Sequence, residues 1–191
     1  MSDDKERISI NVSIDEDLDT VPEDSDKIDV LAQELATIRQ SAKKIAIIGS
    51  RNLTITHQQI IEMLATTLVK AGNTIITSGG SQGTNAAAIR GAMKANPDKL
   101  TIILPQTIGQ QPSDVQDQLI GVKNIVEHPD RAMMTLADAS RICNKEIVDD
   151  CQQIICFLSH SSNTLHQAVR HAEESHKIVT VFYLDYSVNI L

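Results

Sequence analysis

From residue 43 onward, the 191-residue chain alternates between short apolar runs and longer amphipathic stretches. Runs such as 101–104 and 154–158 are continuously apolar, which is typical of strands covered on both faces of a parallel sheet. The pattern predicts strands at 44–49, 73–78, 100–105, 124–127, 153–158 and 178–184, and helices at about 56–71, 84–95, 112–121, 134–150 and 163–175. Because strands and helices interleave, we expect an α/β fold: a three-layer α/β/α Rossmann-like domain with a mostly parallel sheet over 43–191.

The first 42 residues carry a different pattern. Residues 8–14 alternate strictly between apolar and polar side chains, which indicates an edge strand or a partner-binding hook, and equally fits a disordered tail. Apolar residues then recur at 3-4-3 spacing at positions 28, 31, 35 and 38, which predicts an amphipathic lead-in helix over 28–42. We therefore divide the chain into an acidic, partly disordered arm (1–27), this helix and the main domain.

Charge is distributed unevenly between these parts. The arm holds ten acidic and three basic residues, a net charge of -7 out of -8 for the whole chain. The remainder is almost neutral, so we expect no broad basic face and no strong non-specific DNA binding by a monomer. The arm either imitates phosphate over a basic site or simply solvates the chain, and the sequence leaves both interpretations open.

The three cysteines lack the C-x-x-C spacing of a zinc or redox site, and the six histidines are scattered. We expect no metal and no cofactor, reduced thiols, and Cys156 as a core residue of a buried strand. The sequence shows no signal peptide and no apolar run long enough for a membrane span, so it predicts a cytoplasmic protein without membrane contact.

Four polar segments follow predicted strands or open predicted helices, where α/β proteins bind ligands. Small residues there allow close backbone approach, helix starts offer N–H groups to an anion, and Arg and Lys pair with phosphate. The candidate phosphate- or nucleotide-binding residues are Gly49, Ser50 and Arg51; Ser78, Gly79, Gly80, Ser81, Gly83, Thr84 and Asn85; Arg141, Asn144 and Lys145; and Ser161, Ser162, Asn163, Thr164 and Gln167.

Each segment also has a plainer interpretation as a strand-ending turn, a solvated helix face or a helix cap. The second segment is neither a Walker A loop nor a G-x-G-x-x-G fingerprint, and the chain has no G-x-S-x-G nucleophile elbow. We therefore assign no catalytic residue from the sequence.

Taken in order, the four segments resemble the DprA/Smf DNA-processing proteins and their relatives in the wider LOG superfamily of nucleotide phosphoribohydrolases, over roughly 43–184. Gly49-Ser50-Arg51 is similar to the DprA glycine-serine-arginine turn, and 78–88 is similar to the family segment SGxAxGID-x-x-AH. Asn85 stands where the family has Asp, and Ile89 stands where it has His. Residues 141–147 resemble RRNRIIAxLS, with Asn144 on the family Asn and Lys145 on the following Arg.

The resemblance implies a DNA-processing, recombination-mediator protein that binds single-stranded DNA phosphates in a Rossmann pocket without catalysis. It also implies a homodimer and a recombinase or another protein as partner. The alternative is a nucleotide-sensing module of the same superfamily that holds a small nucleotide and acts through a protein partner. A LOG-type N-glycosidase ranks last, because Gln167 falls where those enzymes have Glu, and an amide cannot replace a carboxylate as acid or base.

Overall fold

The computed structural model describes residues 42–158 and 162–184. The strands are β1 (Lys44–Gly49), β2 (Thr74–Thr77), β3 (Leu100–Ile103), β4 (Asn124–Val126), β5 (Gln153–Leu158) and β6 (Ile178–Tyr183). The α-helices are α1 (Ile55–Lys70), α2 (Gly83–Ala95), α3 (Ser113–Leu119), α4 (Leu136–Asp149) and α5 (Asn163–Glu174). Short 3-10 turns cover Pro97–Lys99, Ile108–Gln110 and Pro129–Arg131.

The six strands form one sheet in the order β4-β3-β2-β1-β5-β6, and every pairing is parallel. This arrangement confirms the predicted Rossmann-like α/β fold, and each of these strands and α-helices lies within two residues of its predicted bounds. The helix α4 begins at Leu136 rather than 134 because the Thr135 side chain caps it, accepting a bond of 3.2 Å from the N–H of Asp138. At the end of α1, Gly72 takes φ +92, the left-handed conformation that glycine permits.

Helices cover both faces of the sheet, so its strands are apolar on both sides. In β1, Ile45 and Ile47 face the core under α1, α2 and α3, whereas Ala46 and Ile48 face the core under α4 and α5. This two-sided burial explains the continuous apolar runs of the sequence. Cys156 is fully buried on the second face, which confirms its predicted role in the core.

The helices α1 and α2 pack closely because Gly91 has no side chain. A Cβ at Gly91 would lie 2.9 Å from the Cβ of Ala65, and the Thr66 hydroxyl donates to the carbonyl of Gly91 at 2.9 Å. Beside this contact, Glu62 accepts a bond of 3.0 Å from Arg90 and pairs with Lys94. Lys94 and Arg90 hold the pKa of the Glu62 carboxyl below its usual value.

The strand order reverses between β1 and β5, because the chain builds the sheet from β1 to β4 and then returns to the other side of β1. Ligands of such sheets bind outside the carboxyl ends of the strands at this reversal. We call this side of the sheet the carboxyl edge. The predicted strand at 8–14, the lead-in helix 28–42 up to residue 41, and Ser161 lie outside the described residues, so they remain predictions. Within the described ranges, none of the helices combines the length and apolar character that crossing a bilayer requires.

Candidate functional site

The first two polar segments meet at the carboxyl edge of β1 and β2. The N–H of Ser50 donates to the carbonyl of Phe157 at 2.8 Å, which joins the turn after β1 to β5. The carbonyl of Ser50 accepts from both the N–H of Thr84, at 3.0 Å, and its hydroxyl, at 3.1 Å. The start of α2 is therefore fixed against the turn that carries Arg51, whose own side chain is exposed.

Glycine is required at this contact for steric reasons. Gly83 takes φ +71, and a Cβ there would lie 2.5 Å from both the Cα of Arg51 and the carbonyl oxygen of Ser50. A Cβ at Gly49 would lie 2.5 Å from the Thr84 hydroxyl. Both distances are shorter than the contacts that real Cβ atoms make. The two backbone segments can touch here only because these positions are glycine. We call this contact, formed by Gly49–Arg51 with Gly83 and Thr84, the glycine junction.

The junction changes the predicted role of the second segment. Because the N–H of Thr84 already bonds to Ser50, it is not a free anion donor at the start of α2. Gly79 approaches aliphatic side chains: a Cβ there would lie 2.8 Å from the Cδ2 of Leu104 and 3.2 Å from the Cγ1 of Val115. Part of the segment expected to hold phosphate thus serves packing. Gly80 and Ser81 are half-buried, and their predicted binding role stays a prediction.

The second segment also contacts α4. The hydroxyl of Ser78 lies 3.7 Å from the Sγ of Cys143, which donates to the carbonyl of Ile103 at 3.2 Å. Burial raises the pKa of the Cys143 thiol to about 11, so it stays protonated at neutral pH and is a poor nucleophile. Asn85, in the same segment, donates to the carbonyl of Gly79 at 3.4 Å, and its buried Oδ1 has no partner among the described residues.

The third and fourth segments meet across a hollow of about 180 Å³ between α4 and α5. Its lining residues are Arg141, Asn144 and Lys145 from α4 and Thr164, Gln167, Ala168 and His171 from α5. Asn144 and Lys145 follow Arg141 by three and four residues, the spacing that places side chains on one helix face. We call this cavity the α4–α5 hollow.

The basic side chains of the hollow differ in their pairing. Arg141 donates to the Asp138 carboxylate at 2.7 Å, and both side chains are about half exposed. His171 Nε2 lies 2.6 Å from Asp149 Oδ1, a contact that joins α5 to the last residue of α4. Lys145 is exposed and makes no ion pair with any residue that the structure describes. The ammonium of Lys145 is therefore the lining charge most available to an anion.

The neighbouring residue Glu146 orients α4 from its other side. Its carboxylate lies 3.0 Å from both Arg131 Nη1 and His128 Nε2, two side chains that are largely buried. Gln106 fixes the same loop by donating to the carbonyls of Arg131, at 3.0 Å, and Met134, at 3.1 Å. These contacts set the rotation of α4, and with it the position of Lys145.

Most of the predicted site residues thus fall into two groups. One is the glycine junction with the loop 78–81 and Asn85, and the other is the α4–α5 hollow. Ser162 and Asn163 sit at the start of α5 and are not among the residues lining the hollow. The sequence argument missed His171, although it follows Gln167 by four residues and so shares its helix face. The described residues contain no cluster of His, Cys, Asp and Glu that would hold a metal.

The fold and these groups define a Rossmann-like domain with polar loops and a cation-lined hollow at its carboxyl edge. The family model for DNA recombination-mediator protein A matches residues 33–129, just over half of the chain. The chain belongs to this family, and the resemblance drawn from its motifs is confirmed. It is accordingly a DNA-processing protein. The matched range includes the whole glycine junction, whereas the α4–α5 hollow lies beyond it.

Solved structures share the fold at low sequence identity. DNA processing protein A from Helicobacter pylori, described for its single-stranded DNA binding mode, is 22% identical with a TM-score of 0.62, over 80% of this chain and 70% of that one. DprA from Streptococcus pneumoniae is 18% identical with a TM-score of 0.59, over 79% and 53%. A molybdenum cofactor binding protein from Rippkaea orientalis is 19% identical with a TM-score of 0.57, over 76% and 78%. No curated protein matches the chain.

Proposed function

We propose that this protein binds single-stranded DNA through its phosphates at the carboxyl edge of the sheet, without cleaving a bond. Arg51 at the glycine junction and Lys145 in the α4–α5 hollow supply the available charge, supported by Arg141. The amides of Asn144 and Gln167 and the hydroxyl of Thr164 add hydrogen bonds to phosphate or sugar oxygens. The relative from H. pylori, described for its single-stranded DNA binding mode, supports this choice of ligand.

The observation that carries the proposal is the glycine junction. Because Gly83 has no side chain, the start of α2 packs directly against the turn after β1. This contact holds the backbone of Arg51, which therefore does not lie in a free loop. A cation on a fixed backbone loses less conformational freedom on binding an anion than one carried by a free loop, because only its side chain has to be ordered. The range that the family model matches includes both the turn after β1 and the start of α2. This supports a role for the junction that is common to the family.

The lining of the hollow supports binding without catalysis. Its polar groups are an ammonium, a guanidinium, two amides, a hydroxyl and an imidazole that already contacts Asp149. These groups donate hydrogen bonds to an anion, and Gln167 offers an amide where hydrolysis of a glycosidic bond would need a carboxyl group. The arrangement suits holding a phosphate in place.

The experiment is a fluorescence-anisotropy titration of the full chain with an internally labelled single-stranded oligonucleotide at several salt concentrations. For a protein that neutralises two or three phosphates, we expect log K to fall with log salt at a slope of about -1.5 to -2, because each contact to a single strand contributes about -0.7. Arg51→Ala and Lys145→Ala should each weaken binding about five- to tenfold and make the slope shallower by about 0.7.

The matched control is Lys70→Ala, which removes the same charge as Lys145→Ala. Lys70 is exposed and ends α1, at the opposite end of the sheet from the carboxyl edge. Affinity and slope should stay at the wild-type values in this variant. Equal losses in all three variants would mean that binding follows overall charge, and the proposed site would be wrong.

A second candidate is the binding of a small nucleotide, and the size of the hollow favours it. A volume of about 180 Å³ suits the phosphate end of a single nucleotide better than a run of several nucleotides, and a similarly folded protein from R. orientalis is named for binding a small cofactor. A thermal-shift series with mononucleotides tests this candidate, because a ligand that binds the native state raises Tm with concentration. A Tm rise with mononucleotides, together with no oligonucleotide binding, would replace the first candidate by the second.

A further inference from the structure

The shape of the α4–α5 hollow limits which part of a nucleic acid can enter it. Its volume of about 180 Å³ is below the roughly 300–1,000 Å³ of cavities that enclose a whole small ligand. A phosphate with part of its sugar fits such a space, and a nucleotide with both of its neighbours does not. The hollow therefore accepts a small piece of a larger ligand, or the phosphate of a small one.

The two helices that form the hollow are also joined at one end of it. In a parallel βαβ arrangement both α4 and α5 run from the carboxyl edge towards the opposite edge, so Thr164 lies near the entrance. At the far end, His171 contacts Asp149 at 2.6 Å and links the two helices. Lys177 adds to this link by donating to the carbonyl of Asp149 at 3.1 Å. Lys145 precedes Asp149 on α4, so a strand end that arrives from the carboxyl edge reaches the Lys145 ammonium before it meets this link.

Charge and donors in the hollow match a phosphate monoester. A diester within a strand carries one negative charge, whereas a monoester at a strand end carries about -1.5 to -2 and presents three oxygens. The ammonium of Lys145 has no ion pair among the described residues, and Arg141 is paired only with the half-exposed Asp138. The amides of Asn144 and Gln167 add N–H donors from the two facing helices.

We propose that the α4–α5 hollow is an end-binding subsite that takes a terminal phosphate monoester, with Lys145 as its principal cation. For a strand end, this inference rests on the proposed binding of single-stranded DNA. The phosphate could equally belong to a nucleoside monophosphate, and the experiment separates these two sources.

The test uses the full chain bound to an internally labelled oligonucleotide and displaces it with unlabelled competitors of one sequence. The competitors carry a 5′-phosphate, a 3′-phosphate or hydroxyls at both ends. We expect one phosphorylated competitor to bind at least about fivefold more tightly than the hydroxyl form, the effect of one well-placed charge-assisted contact. This preference should disappear in Lys145→Ala and persist in Lys70→Ala and Arg51→Ala.

A parallel thermal-shift arm compares deoxyadenosine monophosphate with deoxyadenosine. If the labelled strand fails to bind but the monophosphate alone raises Tm and Lys145→Ala abolishes that rise, the subsite stands and the proposed DNA binding is wrong. If strands bind with equal affinity whatever their ends carry, the DNA-binding function stands and the end-binding subsite is overturned. A preference that survives Lys145→Ala likewise places the phosphate elsewhere and overturns the assignment.

Discussion

The glycine junction at the carboxyl edge and the α4–α5 hollow, which extends from that edge between two helices, are built in opposite ways. At the junction, backbone meets backbone, and the carbonyl of Ser50 accepts from both the N–H and the hydroxyl of Thr84. In the hollow, two helices stay far enough apart to leave a space lined with polar side chains. The family motifs in these two regions therefore have different physical roles. One packs two backbone segments together, and the other lines a space between helices.

The difference shows how one binding surface can combine a rigid backbone with a space that is open to a ligand. Close packing at the junction fixes the backbone of Arg51, because Gly83 leaves no space for movement between α2 and the turn. The hollow instead keeps the Lys145 ammonium in solvent, where a ligand can replace water. Variants should accordingly damage stability at the junction and binding at the hollow.

The largest effect on stability should come from Gly83→Ala. The added Cβ would meet the backbone of Ser50 and Arg51 and would force alanine into the left-handed conformation at φ +71. Left-handed strain and overpacking each cost about 1–3 kcal/mol, so we expect a loss of about 3 kcal/mol or more in the free energy of unfolding. Equilibrium urea unfolding followed by circular dichroism measures this loss.

Two further glycines serve as controls that separate strain from crowding. Gly121 has φ +84, but a Cβ there would meet only Met93, at 3.8 Å, so Gly121→Ala should cost about 1–2 kcal/mol from backbone strain alone. Gly109 has an ordinary φ and open surroundings, so Gly109→Ala should change stability by less than about 0.5 kcal/mol. Equal costs at Gly83 and Gly121 would show that the junction is less crowded than described.

An intermediate effect is expected from Glu62→Gln, which weakens the contact between α1 and α2 that supports the junction. Because the pKa of Glu62 is lowered in the folded protein, its ionised form stabilises the fold above the unfolded-state value of about 4.3. That contribution is lost as the pH falls from there through the folded-state pKa. We expect Glu62→Gln to cost about 1 kcal/mol at pH 7 and the difference from wild type to shrink towards pH 3.

Urea unfolding of both proteins between about pH 7 and pH 3 checks this sign. A matched variant is Glu127→Gln, which changes an exposed carboxylate that accepts from the N–H of Ile108 at 2.7 Å, outside the α1–α2 contact. A difference between wild type and Glu62→Gln that grows as the pH falls would contradict the assigned direction of the pKa.

The smallest effect on stability should come from the hollow itself. Lys145→Ala and Gln167→Ala remove exposed side chains without a buried partner, so each should change the free energy of unfolding by less than about 0.5 kcal/mol. The same Lys145 variant should lose DNA affinity, as described above. A stability loss comparable to that of Gly83→Ala would mean that the hollow, too, is built for packing, and the contrast between the two regions would fail.

Much of the architecture could be predicted from local pattern. The continuous apolar runs predicted β1 and β5 with the bounds that the structure shows. A strand covered on both faces is apolar at successive positions, so the apolar run marks the strand directly. Helix ends were less accurate where a side chain decides the boundary, as Thr135 does for α4. The shared face of Arg141, Asn144 and Lys145 followed from helical spacing alone and is confirmed by their common lining of the hollow.

The candidate site was only partly predictable. Gly83 was expected to bring N–H groups to an anion, but the neighbouring N–H of Thr84 bonds to Ser50 across 34 positions of sequence. His171 was not among the predicted site residues because the histidines are scattered along the sequence, and its contact with Asp149 lies 22 positions away. Long-range partners of this kind leave no periodic signal in a single sequence.

By itself, the amino-acid sequence determined the order of strands and helices, the faces of the helices and the places where the chain needs glycine, because backbone conformation and local periodicity depend on near neighbours. Only the tertiary structure decided what each of these features meets. It placed Gly83 against the backbone of Arg51, so part of the second motif serves packing. It also placed α4 beside α5, and the space between these helices is the hollow. The physical reason is that steric exclusion and burial act between segments that the sheet brings together, whatever their separation along the chain.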